Sequence, residues 1–185
     1  HMSSCHAFDL DHGPEAIDEL APRPKATDPY YNRSKAAGEA AVRAELVGHV
    51  PFVIVNPTGV IGPFDFKPSR MGRFFLAFAR GRLPALIHGG FDFVDVRDLV
   101  ATTLAAAQRG RDGENYLVGG RYLRVSEVGA LAAAACGRAV PRATVPMWVA
   151  RVGAPFMDAH VLAVAADVEA ACRPDVAWPM GDPWA

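Results

Sequence analysis

Several residue patterns are scarce or missing in this 185-residue chain, and each absence excludes a class of protein. The three cysteines show no CxxC spacing, so neither a disulfide framework nor a zinc site is indicated. The six histidines form no HxxxH or HxH pair, so we expect no structural metal. No apolar run reaches the ~20 residues that span a bilayer, and the first residues lack the pattern of a signal peptide. These absences favour a cytoplasmic protein without a membrane segment.

An excess of charge of either sign is also missing. The chain has 19 Lys and Arg against 20 Asp and Glu, with a net charge of −1. The arginines are spread along the sequence and interleaved with acids, which is typical of a solvated surface and not of a nucleic-acid-binding face. Hydrophobic residues make up 51% of the chain, which predicts a folded globular protein with a sizeable core.

Helical and extended patterns alternate along the chain. Alanine and charged residues predict a helix over Tyr30–Val47, with Asp28 as its N-cap and Pro29 in the first turn. The apolar run Phe52–Val55 predicts a strand buried on both faces of a parallel sheet. The alternation predicts an α/β fold.

The remaining predicted elements follow the same alternation. A strand end is expected within 1–8 and a short helical turn near Glu15–Leu20. The expected helices are Met71–Arg80, Val96–Gln108, Val125–Cys136, Pro146–Phe156 and 158–172. The expected extended segments are Ala85–His88, Phe91–Val94 and Asn115–Val118.

Tyr31 and Lys35 form the sharpest local motif. Residues four apart on a helix project from the same face, so the phenol and the ammonium are expected to be neighbours. A nearby cation favours the phenolate and lowers the pKa of a tyrosine from its usual ~10. Such a tyrosine can exchange a proton with an alcohol or a developing alkoxide. The alternative is a surface Tyr–Lys contact. Tyr30 lies five residues from Lys35 and is expected to be a packing residue.

Ser3 and Ser4 follow the predicted opening strand. A serine at this place can donate a hydrogen bond to a substrate carbonyl or alkoxide and fix its orientation. The alternative is a turn serine that satisfies backbone groups.

Several segments in order resemble one family, the extended short-chain dehydrogenases/reductases of the NAD-dependent epimerase/dehydratase superfamily. The resemblance is greatest to its dihydroflavonol-reductase-like and 3β-hydroxysteroid-dehydrogenase-like branch, and it covers residues 1 to about 150. The matching segments are HMSSCHAF, DPYYNRSKAAGE, VIVNPTGVIGPFDFKPS, GGFDFVDVRDLVATTLAA and GENYLVGGRYLRVSEVGALAAAACGR.

The resemblance implies a partial Rossmann-like, doubly wound parallel sheet and a small C-terminal substrate-binding lobe. Residues 1–63 would hold the C-terminal part of the core with the catalytic residues. Residues 64–185 would form mainly the substrate lobe, with elements around 85–118 returning to the core.

The resemblance also implies residue roles. Ser4 would be the catalytic serine, with Ser3 as the fallback, and Tyr31 the general acid/base. Lys35 would be the partner of Tyr31 and would bond the nicotinamide ribose, so both residues would contact the cofactor, NAD or NADP.

Five further residues would lie near this cofactor. The loop Pro57–Val60, just past the buried strand, would touch the nicotinamide end, and Ser69 would approach the phosphates. The loop consists of Pro57, Thr58, Gly59 and Val60. Asp95 and Asp98 are expected to cap a helix instead.

The chain departs from the family pattern in two places. It contains no GxxGxxG turn for the pyrophosphate. We therefore expect a longer gene product, or a front half that is a separate chain or was lost by truncation or proteolysis. Without the front strands we expect the 185 residues alone to be unstable and inactive. Phe91 stands where sugar-nucleotide enzymes of the superfamily carry arginine, which favours an uncharged, lipophilic substrate.

The expected function is hydride transfer between NAD(P) and a carbonyl or alcohol of a small molecule, by a protein that is a homodimer when complete. The runner-up is a sugar-nucleotide epimerase or dehydratase on the same scaffold. A third hypothesis is an inactive fragment that needs the missing half as a covalent or separate partner.

Overall fold

The structure, a computed structural model, describes residues 1–11 and 16–146. A 3-10 turn covers Cys5–Ala7. The helices are α1 (Tyr30–Leu46), α2 (Arg70–Ala79), α3 (Val96–Arg109) and α4 (Val125–Cys136). The strands are β1 (Ile54–Pro57), β2 (Gly59–Ile61), β3 (Ala85–Ile87), β4 (Gly90–Asp95), β5 (Asn115–Val118), β6 (Arg121–Arg124) and β7 (Ala143–Val145).

The strands pair mainly in parallel. β1 lies parallel to β5, β2 lies parallel to β4, and β3 lies parallel to β7, while β6 lies beside β4. An isolated parallel bridge joins Met2 to Val55 on β1. Parallel strands with helices between them confirm the predicted α/β class.

The chain forms two compact units. The first contains His1–Asp65 and Gly90–Leu123. Its apolar core joins β1, β4, α3 and β5 through Val55, Val94, Leu99, Ala106 and Val118. The strand residues in this cluster are nearly fully buried because helix α3 covers them, as expected for a parallel sheet.

The second unit contains Phe66–Gly89 and Arg124–Ala185, of which residues 66–89 and 124–146 are described. Phe78 of α2 packs against Ala132 and Ala133 of α4, and Phe74 and Leu83 lie against this cluster. The small alanine side chains allow the two helices to approach closely around the aromatic rings.

The helix ends follow local chemistry. The N-cap of α3 is Asp95, whose carboxylate accepts from the backbone N–H of Arg97 at 2.8 Å, so its predicted capping role is confirmed. α4 ends at Gly137, which adopts φ 62°, a left-handed conformation that glycine tolerates best.

The predicted N-cap of α1 was wrong. Pro29 occupies the cap position and makes no side-chain capping bond. Asp28 instead accepts from the backbone N–H of Lys25 at 2.7 Å, so its carboxylate is used in the preceding turn.

Two other predictions differ from the structure. The predicted strand Phe52–Val55 is shifted to Ile54–Pro57, because the backbone of Phe52 bonds Asp112 and Gly113 instead of a strand. The segment 16–20 contains a turn and no helix. The strand end expected within 1–8 corresponds to the bridge at Met2, which the 3-10 turn follows. The predicted helices at Pro146–Phe156 and 158–172 lie outside the described residues, apart from Pro146, which is not helical.

Candidate active site

The candidate site lies at the carboxyl edge of β1 in the first unit. Met2 bridges Val55, and Pro57 at the end of β1 pairs with Val118 at the end of β5. All three extended segments run parallel, so the residues that follow them emerge at one edge. Ligands of open parallel sheets bind beyond this edge.

Tyr31 and Lys35 lie together on the first turns of α1. The Nζ of Lys35 is 5.6 Å from the centre of the Tyr31 ring, which confirms that the two side chains share a helix face. Tyr31 is 50% exposed and Lys35 is partly buried. Within residues 1–11 and 16–146 no carboxylate forms an ion pair with Lys35. The ammonium is therefore available to the phenol and to a ligand hydroxyl.

Ser3 and Ser4 are both buried, but their hydroxyls have different partners. The hydroxyl of Ser3 donates to Oε1 of Glu39 at 2.6 Å. The hydroxyl oxygen of Ser4 caps the 3-10 turn by accepting from the backbone N–H of His6 at 3.3 Å. Because Ser3 is committed to a buried carboxylate, Ser4 is the better candidate for contact with a substrate.

His6 connects the serine turn to the tyrosine. Its ring meets the ring of Tyr31 edge-on, with 5.4 Å between centroids. The Nδ1 of His6 lies 3.0 Å from Oδ1 of Asn32, an acceptor, so Nδ1 donates in this bond. The sequence singled out no role for His6, because nothing in its spacing relates it to a helix that begins 24 residues later.

Glu39 is the most buried charged group described, with 1% of its surface exposed. It accepts from Ser3, from the amide groups of Asn56 and Asn115, and from the guanidinium of Arg23. Burial raises the pKa of this carboxyl, but the four donors outweigh burial and hold the pKa below its ordinary value. Glu39 is therefore an ionised hydrogen-bond acceptor.

The segment Pro57–Val60 is more ordered than the predicted loop. Pro57 ends β1, Gly59 and Val60 belong to β2, and only Thr58 lies between the strands. The prediction of a loop is therefore corrected: Gly59 and Val60 pair with Phe93 and Val94 of β4.

Thr58 is held by its neighbours. Its hydroxyl donates to Oδ1 of Asp92 at 2.8 Å, and the same oxygen accepts from the backbone N–H of Gly120 at 2.9 Å. At Gly59 a Cβ atom would lie 2.9 Å from the carbonyl of Asp92, so the close approach of β2 and β4 requires glycine. The edge of the sheet is thus fixed, and its contact with a cofactor stays a prediction.

Two other residues singled out by the sequence have defined surroundings. Ser69 lies in the second unit, where its hydroxyl oxygen accepts from the backbone N–H of Gly72 as the N-cap of α2. Its approach to cofactor phosphates stays a prediction.

Phe91 is exposed on β4 and packs its ring against Phe93, with 6.0 Å between centroids. An aromatic surface is therefore present where an arginine would provide charge.

The fold and site together define a Rossmann-type protein with a Tyr–Lys pair at the carboxyl edge of its sheet. The model of the NAD dependent epimerase/dehydratase family matches residues 1–119, and this chain belongs to that family. The inferred family is confirmed, and the predicted cofactor class, NAD or NADP, agrees with the family's description.

Two curated relatives are similar in sequence. Sterol demethylase protein B from Methylococcus capsulatus is 40% identical over 127 residues, which are 69% of this chain and 38% of the relative. A protein described as a candidate dihydroflavonol 4-reductase from Synechocystis sp. is 36% identical over 124 residues, 64% of this chain and 36% of its own length. The chain thus spans little more than a third of these relatives.

Solved structures show the same fold. A nucleoside-diphosphate-sugar epimerase from Pseudomonas aeruginosa has a TM-score of 0.74 and 24% identity, covering 85% of this chain and 52% of that one. A dTDP-glucose 4,6-dehydratase from Bacillus anthracis, solved in complex with NAD, has a TM-score of 0.65 and 19% identity, covering 78% and 48%. The Rossmann-like architecture is therefore confirmed.

Two negative findings apply to the part of the chain that the structure describes. No helix there is both long and apolar enough to cross a bilayer. No group of three or more His, Cys, Asp or Glu side chains there is arranged to hold a metal ion.

Proposed function

We propose that the whole protein is an NAD(P)-dependent oxidoreductase that transfers hydride to or from the carbonyl or alcohol of a small, lipophilic molecule. The observation that carries the proposal is the Tyr31–Lys35 pair, with Nζ 5.6 Å from the ring centre at the carboxyl edge of β1. The half-exposed phenol lies beside an ammonium that has no carboxylate partner among residues 1–11 and 16–146, and this pair is suited to proton exchange with a bound ligand.

The residues present fit one end of the cofactor. Tyr31 and Lys35 present a hydroxyl and an ammonium that suit ribose hydroxyls, and Pro57–Val60 presents a rigid apolar edge for the nicotinamide. The chain has no GxxGxxG turn, so the pyrophosphate needs other groups. The cofactor supplies or accepts the hydride.

Proton transfer is the part of the reaction that belongs to this chain. In the reducing direction Tyr31 gives its phenolic proton to the substrate oxygen as that oxygen gains negative charge. Lys35 stabilises the phenolate that remains, and Ser4 donates a hydrogen bond to the same substrate oxygen. The products are the alcohol, oxidised cofactor and a phenolate that recovers its proton from solvent.

Exposed Phe91 and the two curated relatives favour a lipophilic substrate. These relatives are described by a sterol and by a dihydroflavonol, so the two probes are a sterol ketone and a dihydroflavonol, each offered with NADH and with NADPH. The test is cofactor consumption by the whole protein and by Tyr31→Phe. We expect turnover by the wild type and loss of turnover in the variant.

The neighbouring tyrosine provides the matched control. Tyr30 is 79% exposed, and the ring beside the Lys35 ammonium is that of Tyr31, so Tyr30→Phe removes the same hydroxyl one residue away. It is expected to keep wild-type turnover. Turnover retained by Tyr31→Phe would exclude the assignment.

A second function is favoured by the family description itself, which names epimerases and dehydratases. Such an enzyme on this scaffold uses bound NAD transiently. NAD that copurifies with the whole protein and is not consumed during turnover of a nucleoside-diphosphate sugar would support this second function over the first.

A further inference from the structure

The proton-exchange residues described above do not explain why a carboxylate is buried one helical turn beyond Lys35. Glu39 follows Lys35 by four residues, so it continues the stripe of Tyr31 and Lys35 along α1. Unlike those two residues, it faces the interior and is 1% exposed. A buried charge is costly unless every lone pair has a partner.

The partners of Glu39 come from three parallel segments and one loop. Oε1 accepts from the hydroxyl of Ser3 at 2.6 Å and from Nδ2 of Asn56 on β1 at 2.5 Å. Oε2 accepts from Nδ2 of Asn115 on β5 at 3.0 Å and from Arg23 at 2.8 Å. One side chain of α1 therefore holds the opening segment, β1 and β5 together.

The ionised carboxylate also orients its donors. Since it can only accept, the amide nitrogen of Asn56 must face it, and the second hydrogen of that nitrogen points to the carbonyl of Ser4 at 3.0 Å. The carbonyl oxygen of Asn56 in turn accepts from Asn115 at 2.7 Å. The backbone at Ser4 is thus fixed through Asn56.

The fixed turn leads back to the tyrosine. Ser4 caps the 3-10 turn through His6, and the ring of His6 bonds Asn32 and contacts Tyr31 edge-on. A closed loop of contacts therefore runs from Glu39 through Asn56 and the Ser4 turn to His6 and returns to α1 at Tyr31.

We propose that Glu39 is a positioning residue, which sets the Ser4 turn and its His6 ring against Tyr31 by gathering donors from three parallel segments. This inference rests on the proposed function only for the catalytic importance of Tyr31. The claim itself concerns where the Ser4 turn and the His6 ring lie relative to Tyr31. A buried ion pair adds little stability over an apolar residue of the same size, so a role in geometry gives a physical reason for a carboxylate here.

The test places 3-fluorotyrosine at position 31 of the whole protein and records its ¹⁹F spectrum without substrate or cofactor. The wild type is expected to give one narrow resonance, since the His6 ring is held against Tyr31. Glu39→Gln presents an amide nitrogen to donors, so we expect a displaced resonance or several resonances. An unchanged resonance in a folded Glu39→Gln protein would overturn the proposal.

Two further variants keep the test decisive. Asp95→Ala removes the N-cap of α3, whose carboxylate accepts from the backbone N–H of Arg97. It is expected to lower the melting temperature and leave the resonance unchanged. A resonance displaced as in Glu39→Gln would show that any loss of stability moves the His6 ring, and this would overturn the proposal.

Ser3→Ala removes one donor to Glu39 and serves if Glu39→Gln does not fold. It is expected to displace the resonance in the same direction by a smaller amount, and an unchanged resonance would contradict the proposal. Turnover retained by Tyr31→Phe would refute the proposed function while leaving these spectra unaffected, so the two failures are distinguishable.

Discussion

The two halves of α1 present the same stripe of side chains to opposite environments. In the first half, Tyr31 is exposed and Lys35 is partly buried. The Lys35 ammonium lies beside the Tyr31 ring and pairs with no carboxylate among the described residues. In the second half, Glu39 and Arg43 bond into the sheet, and Glu39 alone has four donors. Side chains that exchange protons with a ligand must keep some hydrogen-bonding capacity free for that ligand. Side chains that hold the fold together use all of their hydrogen-bonding capacity within the protein.

The largest expected difference between loss of activity and loss of stability is at Lys35. Lys35→Met keeps most of the aliphatic chain but removes the cation beside Tyr31, so we expect turnover to fall on the order of 10³-fold. The melting temperature should change little, because the ammonium takes part in no ion pair among the described residues. Steady-state kinetics and thermal unfolding of the same preparation measure the two effects.

Lys25 provides the control for this change. It is a surface lysine whose ammonium pairs with Asp9 at 2.9 Å. Lys25→Met is expected to keep turnover, and an equal loss in both variants would show that a general change of charge is responsible.

The adjacent serines give the next largest expected effect. Ser4→Ala removes the candidate donor to the substrate oxygen, and we expect turnover to fall about 10²-fold. Ser3→Ala leaves the carboxylate of Glu39 short of one donor, which costs about 2 kcal/mol of unfolding free energy, and turnover falls less than tenfold. Urea unfolding and steady-state kinetics of both variants measure these effects. A larger loss of turnover in Ser3→Ala than in Ser4→Ala would assign the catalytic role to Ser3.

The pH dependence of stability that comes from Glu39 is expected to be a smaller effect than the losses of turnover above, and to develop gradually with falling pH. Its pKa is lower in the folded protein than in the unfolded chain, because its hydrogen-bond donors outweigh burial. Its contribution to stability is therefore complete above the ordinary glutamate pKa of about 4.3 and is lost as pH falls through the lower folded value. We expect the stability gap between wild type and Glu39→Gln, measured by urea unfolding, to narrow below pH about 4. A gap independent of pH would show that folding does not lower the pKa of Glu39, and a gap that widens as pH falls would show that the carboxyl is neutral in the fold.

The two halves of α1 also differ in how far the sequence alone predicts their contacts. Tyr31 and Lys35 are related by one helical turn, so their proximity follows from local periodicity, and the order of most helices and strands follows from their patterns. The partners of Glu39 lie 16 to 76 residues away, and no local rule relates them. A carboxylate four residues after Lys35 and an asparagine inside an apolar strand were the available signals.

Ser3 and Ser4 show the same limit at closer range. Successive residues of an extended segment point to opposite sides, so one of the two hydroxyls faces α1 and the other does not. Which one does depends on the register of Met2 against Val55, a contact between residues 53 positions apart. That register is a property of the folded sheet, so the sequence left both serines open.

The role of Tyr31 is tested most directly by a single turnover of the whole protein with Tyr31→Phe, measured beside cofactor affinity. We expect the dissociation constant for the reduced cofactor to change by less than about tenfold, because Lys35 and the sheet edge remain. We expect hydride transfer to the ketone to slow on the order of 10³-fold. Unchanged hydride transfer with intact cofactor binding would contradict the central claim that the Tyr31 phenol supplies the proton.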